Sequence, residues 1–273
     1  MGPRHQRVQR LRRLLRQRSV RRSDGAFVVE GTKVLEAALD AGAAIEAVYF
    51  APEAHRQVAA ARLLARLEAA GVRCFALRAG VIERVADTTS PQSLCGVVST
   101  LERPLEALAA AAEVLFVCVD VRDPGNLGAI IRSAAAAGVG GVICCEGSAD
   151  PYNPKVVRAS AGALFSVPIA LGIDAAEAFS ALHAGGFTVL GTLARGGEDY
   201  ATATLSARLA LVLGNEASGL PPELAGQLDG AVSIPMASAT ESLNVAMAAT
   251  VLAFEIARRR RQEGATRPGA PSI

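Results

Sequence analysis

The 273-residue sequence contains no tryptophan, only 4 % aromatic residues and three histidines. Because His5, His55 and His183 lie far apart along the chain, neither a metal cluster nor histidine catalysis is expected. The five cysteines include no C-x-x-C pair, and their odd number argues against a disulfide framework. Several of them lie in apolar, strand-like runs, so we expect buried, reduced thiols.

Nucleotide-binding, hydrolase and membrane signatures are missing as well. There is no G-x-G-x-x-G dinucleotide fingerprint, no Walker A motif and no G-x-S-x-G nucleophile elbow. The N-terminus is charged throughout, which argues against a secretory signal. The longest stretch without a charged residue, 178–194, contains a histidine, paired glycines and two threonines, so it makes a poor membrane span. We therefore expect a cytoplasmic protein with no membrane partner.

Acidic residues are absent from the first 22 positions, which hold nine arginines. Residues 258–273 add five arginines and one acid, so the rest of the chain carries −11 although the formal net charge is +2. Two basic ends on an acidic body indicate a polyanionic partner. Solvated charged tails are the alternative at both ends, and an organellar transit peptide is a further alternative at the N-terminus.

Apolar residues are abundant enough for a core, at 51 % of the chain, and the length predicts about two domains. The spacing of Val8, Leu11, Leu14 and Leu15 predicts an N-terminal amphipathic helix. We expect a basic helix at 1–22, an α/β domain at 23–100, a linker at 101–112, an α/β domain at 113–261 and a flexible tail at 262–273.

Short apolar runs alternate with alanine-rich segments along most of the chain. The predicted strands span 26–30, 45–50, 72–77, 94–100, 114–121, 141–145, 166–171, 187–192, 209–213 and 231–234. The predicted helices span 31–41, 53–70, 126–138, 153–160, 175–184 and 242–261. Strands that alternate with helices are typical of a parallel sheet covered on both faces, so the predicted fold class is α/β.

Three loops of the second domain are polar where a strand ends. They are Arg122–Gly128, Gly214–Pro221 and the segment from Pro235 to Asn244. Each loop alone could be a turn or a helix cap, because Asp, Asn, Ser and Gly favour such positions. Together they favour a ligand site, since open α/β sheets bind ligands beyond the carboxyl ends of their strands.

The residues of these loops form three ordered motifs. They are D-x-x-x-P-G-N-L-G-x-x-x-R over Asp120–Arg132, L-G-N-E-x-x-G-L over Leu213–Leu220, and I-P-M-…-E-S-L-N-V-A-x-A over Ile234–Ala248. This pattern resembles the SpoU/TrmH family of RNA ribose 2′-O-methyltransferases, within the SPOUT superfamily. The N-terminal module, with F-V-V-E-G at Phe27–Gly31, is similar to the ribosomal-protein-like substrate-binding domain of rRNA-directed members.

The resemblance implies a fold and a cofactor. The fold is a C-terminal SPOUT domain with a parallel sheet and a deep trefoil knot, beside a smaller N-terminal α/β substrate-binding domain. The cofactor is S-adenosylmethionine, and no metal is implied. The residues expected to bind the cofactor are Thr192, Gly214, Ile234, Met236 and Leu243. Gly191 and Gly214 are expected where a ligand approaches the backbone closely.

The resemblance also assigns catalytic roles to Arg132, Asn126, Glu216 and Asn244. A guanidinium stays protonated in proteins, so we expect Arg132 to hold a phosphate and stabilise the developing alkoxide rather than act as a base. Asn126 is expected to organise Arg132 and the RNA, and Glu216 to fix its loop or Arg132. Asn244 is expected to contact substrate or a neighbouring loop. The expected RNA contacts are Arg10, Arg13, Arg21, Arg22 and Arg158.

The last helix carries an apolar stripe at Leu243, Met247, Val251 and Phe254. The stripe could cover its own sheet, but the resemblance favours a homodimer through this helix, with rRNA as the substrate. The alternatives are a tRNA 2′-O-methyltransferase of the same family, an rRNA methyltransferase that confers antibiotic resistance, and a non-catalytic RNA-binding protein. Binding of S-adenosylmethionine would separate an enzyme from the last of these.

Overall fold

The computed structural model describes residues 1–85, 91–237 and 242–266, with side chains up to residue 262. Thr240 and Glu241 of the third motif, and residues 267–273 of the expected tail, lie outside the described residues. The chain divides into two compact units. The N-terminal unit comprises Met1–Leu101 and Asp150–Ser166, and the C-terminal unit comprises Glu102–Ala149 and Val167–Ile273.

Helices and strands alternate along the chain, as the sequence predicts. The α-helices are α1 (Gln6–Arg16), α2 (Arg18–Asp24), α3 (Thr32–Asp40), α4 (Val58–Ala69), α5 (Val81–Val85), α6 (Leu105–Ala111), α7 (Pro124–Ala137), α8 (Pro154–Ala159), α9 (Ala175–Ala184) and α10 (Val245–Thr266). The β-strands are β1 (Ala26–Glu30), β2 (Ile45–Phe50), β3 (Cys74–Ala76), β4 (Leu94–Ser99), β5 (Val114–Cys118), β6 (Gly141–Cys145), β7 (Ile169–Ile173), β8 (Thr188–Thr192), β9 (Glu198–Asp199), β10 (Leu209–Leu213) and β11 (Gly230–Ser233).

The N-terminal unit contains a four-stranded sheet in the order β1-β4-β2-β3. Strand β4 is antiparallel to β1 and β2, whereas β2 and β3 are parallel. Helix α1 buries the predicted stripe of Val8, Leu11, Leu14 and Leu15 in the apolar core beside this sheet. The basic N-terminal segment is therefore an integral part of the unit rather than a detached arm.

The segment Asp150–Ser166 packs with the N-terminal unit, although the sequence boundaries assigned it to the second domain. The Arg21 side chain of α2 donates from Nε and Nη2 to Asp150 Oδ2 at 2.8 and 2.6 Å, and this ion pair is buried. The rings of Phe27 and Tyr152 lie 4.7 Å apart between centroids. These contacts join residues that are distant in sequence, so no local pattern reveals them.

The C-terminal unit contains a seven-stranded sheet in the order β7-β6-β5-β10-β8-β11-β9. Each pair of neighbouring strands runs parallel, which confirms the predicted α/β fold with a parallel sheet. Strands β5, β6 and β10 are buried along their whole length. Their nearly continuous apolar sequences reflect this burial, because both faces of a central parallel strand are covered.

Several segments of the C-terminal unit differ from the sequence prediction, and two of them lie before the first motif loop. The range 101–112 contains helix α6 rather than a linker alone, because Leu105 and Leu108 are buried at helical spacing. Strand β5 ends at Cys118 instead of residue 121, because the chain turns at Asp120, whose φ of 55° lies in the left-handed region. This early turn sets the backbone that leads into the first motif loop.

The cysteines are free thiols, and four of the five are buried, as the sequence predicts. Burial raises the pKa of Cys95 to about 12 and that of Cys145 to about 12. At neutral pH these groups therefore stay protonated and behave as small apolar side chains.

Membrane-spanning helices and metal-binding clusters are absent from residues 1–85, 91–237 and 242–266. No helix within these ranges has the length and apolar character needed to cross a membrane. The same ranges contain no group of three or more His, Cys, Asp or Glu residues arranged to hold a metal ion.

Candidate active site

The loops that follow β8, β10 and β11 lie at the carboxyl-end edge of the seven-stranded sheet. A cavity of about 180 Å³, which is partly open to solvent, lies between these loops and the start of α10.

All five residues predicted to bind the cofactor line this single cavity; they are Thr192, Gly214, Ile234, Met236 and Leu243. Leu193, Val232 and Leu252 add apolar surface, and Asn215 and Glu216 add polar groups. Apolar walls with a few polar groups fit S-adenosylmethionine, because its adenine ring needs a flat apolar slot with hydrogen-bond partners.

The two strand-end glycines serve the packing of the protein itself. A Cβ on Gly214 would lie 2.7 Å from the carbonyl carbon of Gly219, so the loop folds back over β10 only because no side chain is present. A Cβ on Gly191 would lie 2.8 Å from Leu228 Cδ1, and Gly191 does not line the cavity. The expected close approach of a ligand is therefore wrong for Gly191, where Leu228 occupies the space.

Three of the four predicted catalytic residues form one hydrogen-bonded chain. Asn126 Nδ2 donates to Glu216 Oε1 at 2.8 Å, and Asn244 Nδ2 donates to Asn126 Oδ1 at 2.9 Å. Asn126 lies in the first turn of α7, Glu216 lies in the loop after β10, and Asn244 immediately precedes α10. The chain therefore fastens the three motif loops to one another.

Helix capping fixes the backbone around this chain. Asp123 Oδ1 accepts a hydrogen bond from Asn126 N at 2.8 Å as the N-cap of α7. Asn244 Oδ1 accepts from Ala246 N and Met247 N at 2.9 and 3.3 Å at the start of α10. These loops therefore also form helix caps, which was the alternative interpretation of their sequences. The caps orient the side-chain amides of Asn126 and Asn244, which form the hydrogen-bonded chain.

A second network, which the sequence reasoning missed, lies in the same loops. Asn215 Nδ2 donates to the backbone oxygen of Asp120 at 2.9 Å, while Asn215 Oδ1 accepts from Ala217 N and Ser218 N at 2.9 and 3.1 Å. Arg122 Nε donates to Asp120 Oδ1 at 2.7 Å, and this hydrogen bond raises the pKa of Arg122. The motifs specify Asp120 and Asn215. Arg122 stands at a position where the motif accepts any residue, so the motif gives no indication of its role.

Arg132 lies on α7 with an exposed side chain, and it makes no hydrogen bond or ion pair with any described residue. Among the described residues, Asn126 therefore makes no contact with Arg132 of the kind expected, and Glu216 acts on the loops rather than on Arg132, which is the other of its two expected roles. Those two side chains bond to each other, and Asn126 also bonds to Asn244. The hydrogen-bonded chain shapes the loops and leaves the Arg132 guanidinium available to a ligand.

Two of the arginines expected to contact RNA form ion pairs within the N-terminal unit. Arg10 donates from Nε to Asp24 Oδ2 at 2.8 Å and from Nη1 to Glu46 Oε2 at 2.6 Å. The Arg21 side chain is only 5 % exposed in its ion pair with Asp150. RNA could reach Arg21 only by breaking a buried ion pair, so the prediction that it contacts RNA is wrong.

The other predicted RNA contacts remain accessible. Arg13 and Arg22 are exposed and have no hydrogen-bond or ion-pair partner within the described part of the chain. The Arg158 side chain is 36 % exposed, and its Nη1 lies 3.8 Å from Glu30 Oε2. These three arginines stay candidates for phosphate contacts.

Helix α10 presents an apolar stripe to solvent. Met247, Val251 and Phe254 are 62 %, 37 % and 44 % exposed. Leu243, which the sequence assigned to the same stripe, precedes the helix and lines the cavity instead. The exposed stripe therefore consists of three residues on one helical face.

The basic residues near the end of α10 hold a neighbouring loop. Arg259 donates from Nη1 to Ala203 O and from Nη2 to Tyr200 O, both at 2.6 Å. Arg260 Nη2 donates to a backbone oxygen of the same segment at 2.6 Å. The helix continues to Thr266, so the chain does not become a flexible tail at residue 262, and these arginines are structural contacts.

Two family models match the chain. The SpoU rRNA Methylase family matches residues 113–254, and the MRM3-like substrate binding domain matches residues 5–96. The first match covers more than half of the sequence and includes the cavity and both hydrogen-bond networks.

Named relatives and solved structures resemble nearly the whole chain. The 23S rRNA (guanosine(2553)-2′-O)-methyltransferase RlmP of Bacillus subtilis is 32 % identical over 86 % of this chain and 90 % of its own length. A 23S rRNA (uridine(2479)-2′-O)-methyltransferase of Streptomyces viridochromogenes is 31 % identical over 94 % of this chain and 91 % of its own. The structure of an AdoMet-bound rRNA methyltransferase from Sinorhizobium meliloti is similar with a TM-score of 0.82 and 33 % identity, and it covers 94 % of this chain and 95 % of its own.

Proposed function

We propose, from the premise that the chain belongs to the SpoU rRNA methylase family, that it transfers a methyl group from S-adenosylmethionine to a ribose 2′-hydroxyl of rRNA. The observation that carries the proposal is that five predicted cofactor contacts line one cavity beside the chain Asn244–Asn126–Glu216. The names of the similar proteins, which specify 23S rRNA, support rRNA as the substrate.

The cavity residues would hold S-adenosylmethionine through apolar contacts and backbone groups. Ile234, Met236 and Leu243 contribute apolar side chains, and Thr192 and Gly214 contribute backbone at the ends of two strands. When bound, the cofactor supplies an electrophilic methyl group on its sulfonium. With the cofactor in place, the apolar lining would exclude water from this part of the site and so would strengthen the electrostatic contacts made there.

The ribose 2′-hydroxyl is a weak nucleophile, so the site must orient it and favour the loss of its proton. We assign the stabilisation of the developing negative charge to Arg132, whose guanidinium stays charged and can hold an adjacent phosphate. The hydrogen bonds of Asn126 with Glu216 and Asn244 keep the surrounding loops in one arrangement. These residues thus act by positioning and by charge rather than by covalent chemistry.

A methyl-transfer assay with labelled S-adenosylmethionine and purified rRNA tests this function. A 2′-O-methyl group blocks alkaline cleavage at the modified nucleotide, so comparing RNA from cells with and without the protein maps its position. Purified tRNA serves as the parallel acceptor, and methylation of tRNA alone would replace the rRNA proposal. Absence of cofactor binding by calorimetry would instead favour a non-catalytic RNA-binding protein.

We propose that the exposed arginines of α1 and α2 bind RNA phosphates. The double variant Arg13→Gln/Arg22→Gln is expected to weaken RNA binding and to reduce the slope of log affinity against log salt by roughly 0.7–0.9 per lost contact. Fluorescence anisotropy over a salt series measures both. Arg62→Gln is the matched control, because the Arg62 side chain is 70 % exposed on α4 of the same unit. An unchanged slope in the double variant would mean that these arginines are only solvated.

We also propose a homodimer through α10. The exposed stripe of Met247, Val251 and Phe254 is apolar and lies on one face of a long helix. In a two-fold dimer the same stripe from each copy would meet and be removed from water. Placing the active site near this interface would let Arg132 of one subunit meet RNA held by the other.

Phe254→Asp is expected to convert the dimer to a monomer, because a carboxylate would be buried without a partner at the interface. Light scattering coupled to size-exclusion chromatography measures the mass in solution. Val58→Asp is the control, since Val58 is an 87 % exposed apolar residue of the N-terminal unit. A monomeric wild type, or a dimer that survives Phe254→Asp, would contradict the proposed interface.

The deep trefoil knot and a cytoplasmic location complete the proposal. The knot is supported by strand order, because β10 pairs between β5 and β8, and β11 pairs between β8 and β9. Strands β10 and β11 come late in the sequence but lie between earlier strands of the sheet. Threading of the C-terminal segment through a loop would require such an arrangement. The cytoplasmic location follows from the proposed rRNA substrate.

A further inference from the structure

The two units carry opposite net charges. The N-terminal unit holds 18 Lys and Arg against 10 Asp and Glu, for a net charge of +8. The C-terminal unit holds 10 Arg against 16 Asp and Glu, for a net charge of −6. A unit of net negative charge repels RNA at long range. RNA contacts beside the cofactor cavity must therefore come from a small number of well-placed arginines.

The arginines of the C-terminal unit that precede α10 differ in availability. Arg208 donates to a backbone oxygen at 2.6 Å and stacks over the ring of Phe187, so it is committed to the fold. Arg103 is exposed, but its backbone bonds to Ile169, at the amino end of β7. Arg122, Arg132 and Arg195 are exposed and follow the carboxyl ends of β5 and β8. Two of these three, Arg122 and Arg195, have no role in the mechanism described above.

Arg122 is oriented before any ligand arrives. Its side chain is 72 % exposed, yet its Nε donates to Asp120 Oδ1 at 2.7 Å. Asp120 is itself held by Asn215 Nδ2, which donates to its backbone oxygen at 2.9 Å. The two Nη groups of Arg122 have no partner among the described residues, so they can take a phosphate bidentately. Arg122 precedes the first residue of α7 by two positions and is therefore close to Asn126 in sequence.

Arg195 lies on the other side of the cavity. It follows β8 and lines a shallow hollow that shares Ala194, Ile234 and Met236 with the cofactor cavity. The Arg195 side chain is exposed and has no partner within the described part of the chain. The acidic residue of the hollow, Asp199, accepts a hydrogen bond from a backbone N–H at 2.9 Å through Oδ1. Among the described residues no ion pair joins Asp199 to Arg195, so the Arg195 guanidinium can bind an anion.

We propose that Arg122 and Arg195 bind RNA phosphates on the two sides of the cofactor cavity and so seat the strand that carries the target ribose. This inference rests on the proposed function. Strand β10 separates β5 from β8 in the sheet, so the strands that lead to the two arginines lie roughly 10 Å apart. A short stretch of single-stranded RNA spans that distance, and Arg132 then meets the phosphate nearest the reacting ribose.

The test compares Arg122→Gln, Arg195→Gln and the matched control Arg103→Gln in the full-length protein. Each of the first two variants is expected to weaken binding of purified 23S rRNA about tenfold. Each is also expected to reduce the slope of log affinity against log salt by roughly 0.7–0.9. Arg103→Gln removes the same charge from the same unit and is expected to change the slope little. Calorimetric binding of S-adenosylmethionine is expected to be the same in all three.

Two other outcomes would overturn the inference, and a third would overturn only the proposed function. If Arg122→Gln and Arg195→Gln change the salt slope no more than Arg103→Gln does, the two arginines do not contact phosphates. If either variant loses S-adenosylmethionine binding, its residue acts on the cofactor cavity instead. If the wild type binds rRNA but transfers no methyl group, the proposed function fails, while the binding slopes still decide the phosphate contacts.

Discussion

Arg132→Ala is expected to reduce methyl transfer at least about 100-fold, because removing a charge-stabilising donor typically costs about 3 kcal/mol in the transition state. S-adenosylmethionine binding is expected to persist, since Arg132 does not line the cofactor cavity. The loops are expected to keep their shape as well, because their hydrogen bonds join Asn126, Glu216 and Asn244 without Arg132. Single-turnover methyl transfer on the mapped rRNA and calorimetric titration of the cofactor measure the two effects separately.

Two controls make this result specific. Arg103→Ala removes an exposed arginine of the same unit and should leave the rate unchanged. Arg132→Lys keeps the positive charge but loses the planar fork, so it is expected to retain only part of the rate. Full activity of Arg132→Ala on the mapped nucleotide would remove Arg132 from the mechanism. A steep rise of the rate with pH in Arg132→Lys alone would argue instead that the residue at this position accepts the proton.

The residues that the family motifs assign to the cofactor line one cavity, and several of them follow buried strands. Apolar runs such as Leu209–Leu213 locate the strands, and a parallel sheet brings their carboxyl ends to one edge. Thr192, Gly214 and Ile234 each stand at such an end, and they meet in one cavity. Strand ends locate the edge of the sheet where a ligand can bind, whereas the assignment of these residues to the cofactor rests on the family resemblance and stays a prediction.

Contacts between side chains that are distant in sequence could not be predicted from the sequence. Arg21 and Arg22 look alike in an acid-free basic segment, yet one is buried and the other exposed. The difference arises because Asp150, 129 residues further along, packs with the N-terminal unit. The partners of Asn126 escaped prediction for the same reason, since motif spacing does not say which side chains bond.

Arg21→Met is expected to destabilise the N-terminal unit by about 3–5 kcal/mol, because it leaves the Asp150 carboxylate buried without its cation. Asp150 Oδ2 loses hydrogen bonds of 2.8 and 2.6 Å, while the bond from Tyr152 N to Asp150 Oδ1 remains. The unfolding temperature of this unit should fall on the order of 10 °C or more. Scanning calorimetry resolves the transition, and hydrogen exchange at β1, which packs beside α2 and α8, assigns it to the N-terminal unit.

A matched neighbour and a double variant show whether the ion pair itself is responsible. Arg22→Met changes an exposed arginine of the same helix, so the unfolding temperature should stay nearly constant. Arg21→Met/Asp150→Leu is expected to recover much of the loss, since replacing both members of a buried pair by apolar groups avoids an uncompensated charge. If Arg21→Met left stability unchanged and instead lowered RNA affinity with a shallower salt slope, the side chain would be an RNA contact after all. The buried geometry argues for the opposite outcome, in which Arg21 stabilises the surface that carries the proposed RNA contacts Arg13 and Arg22.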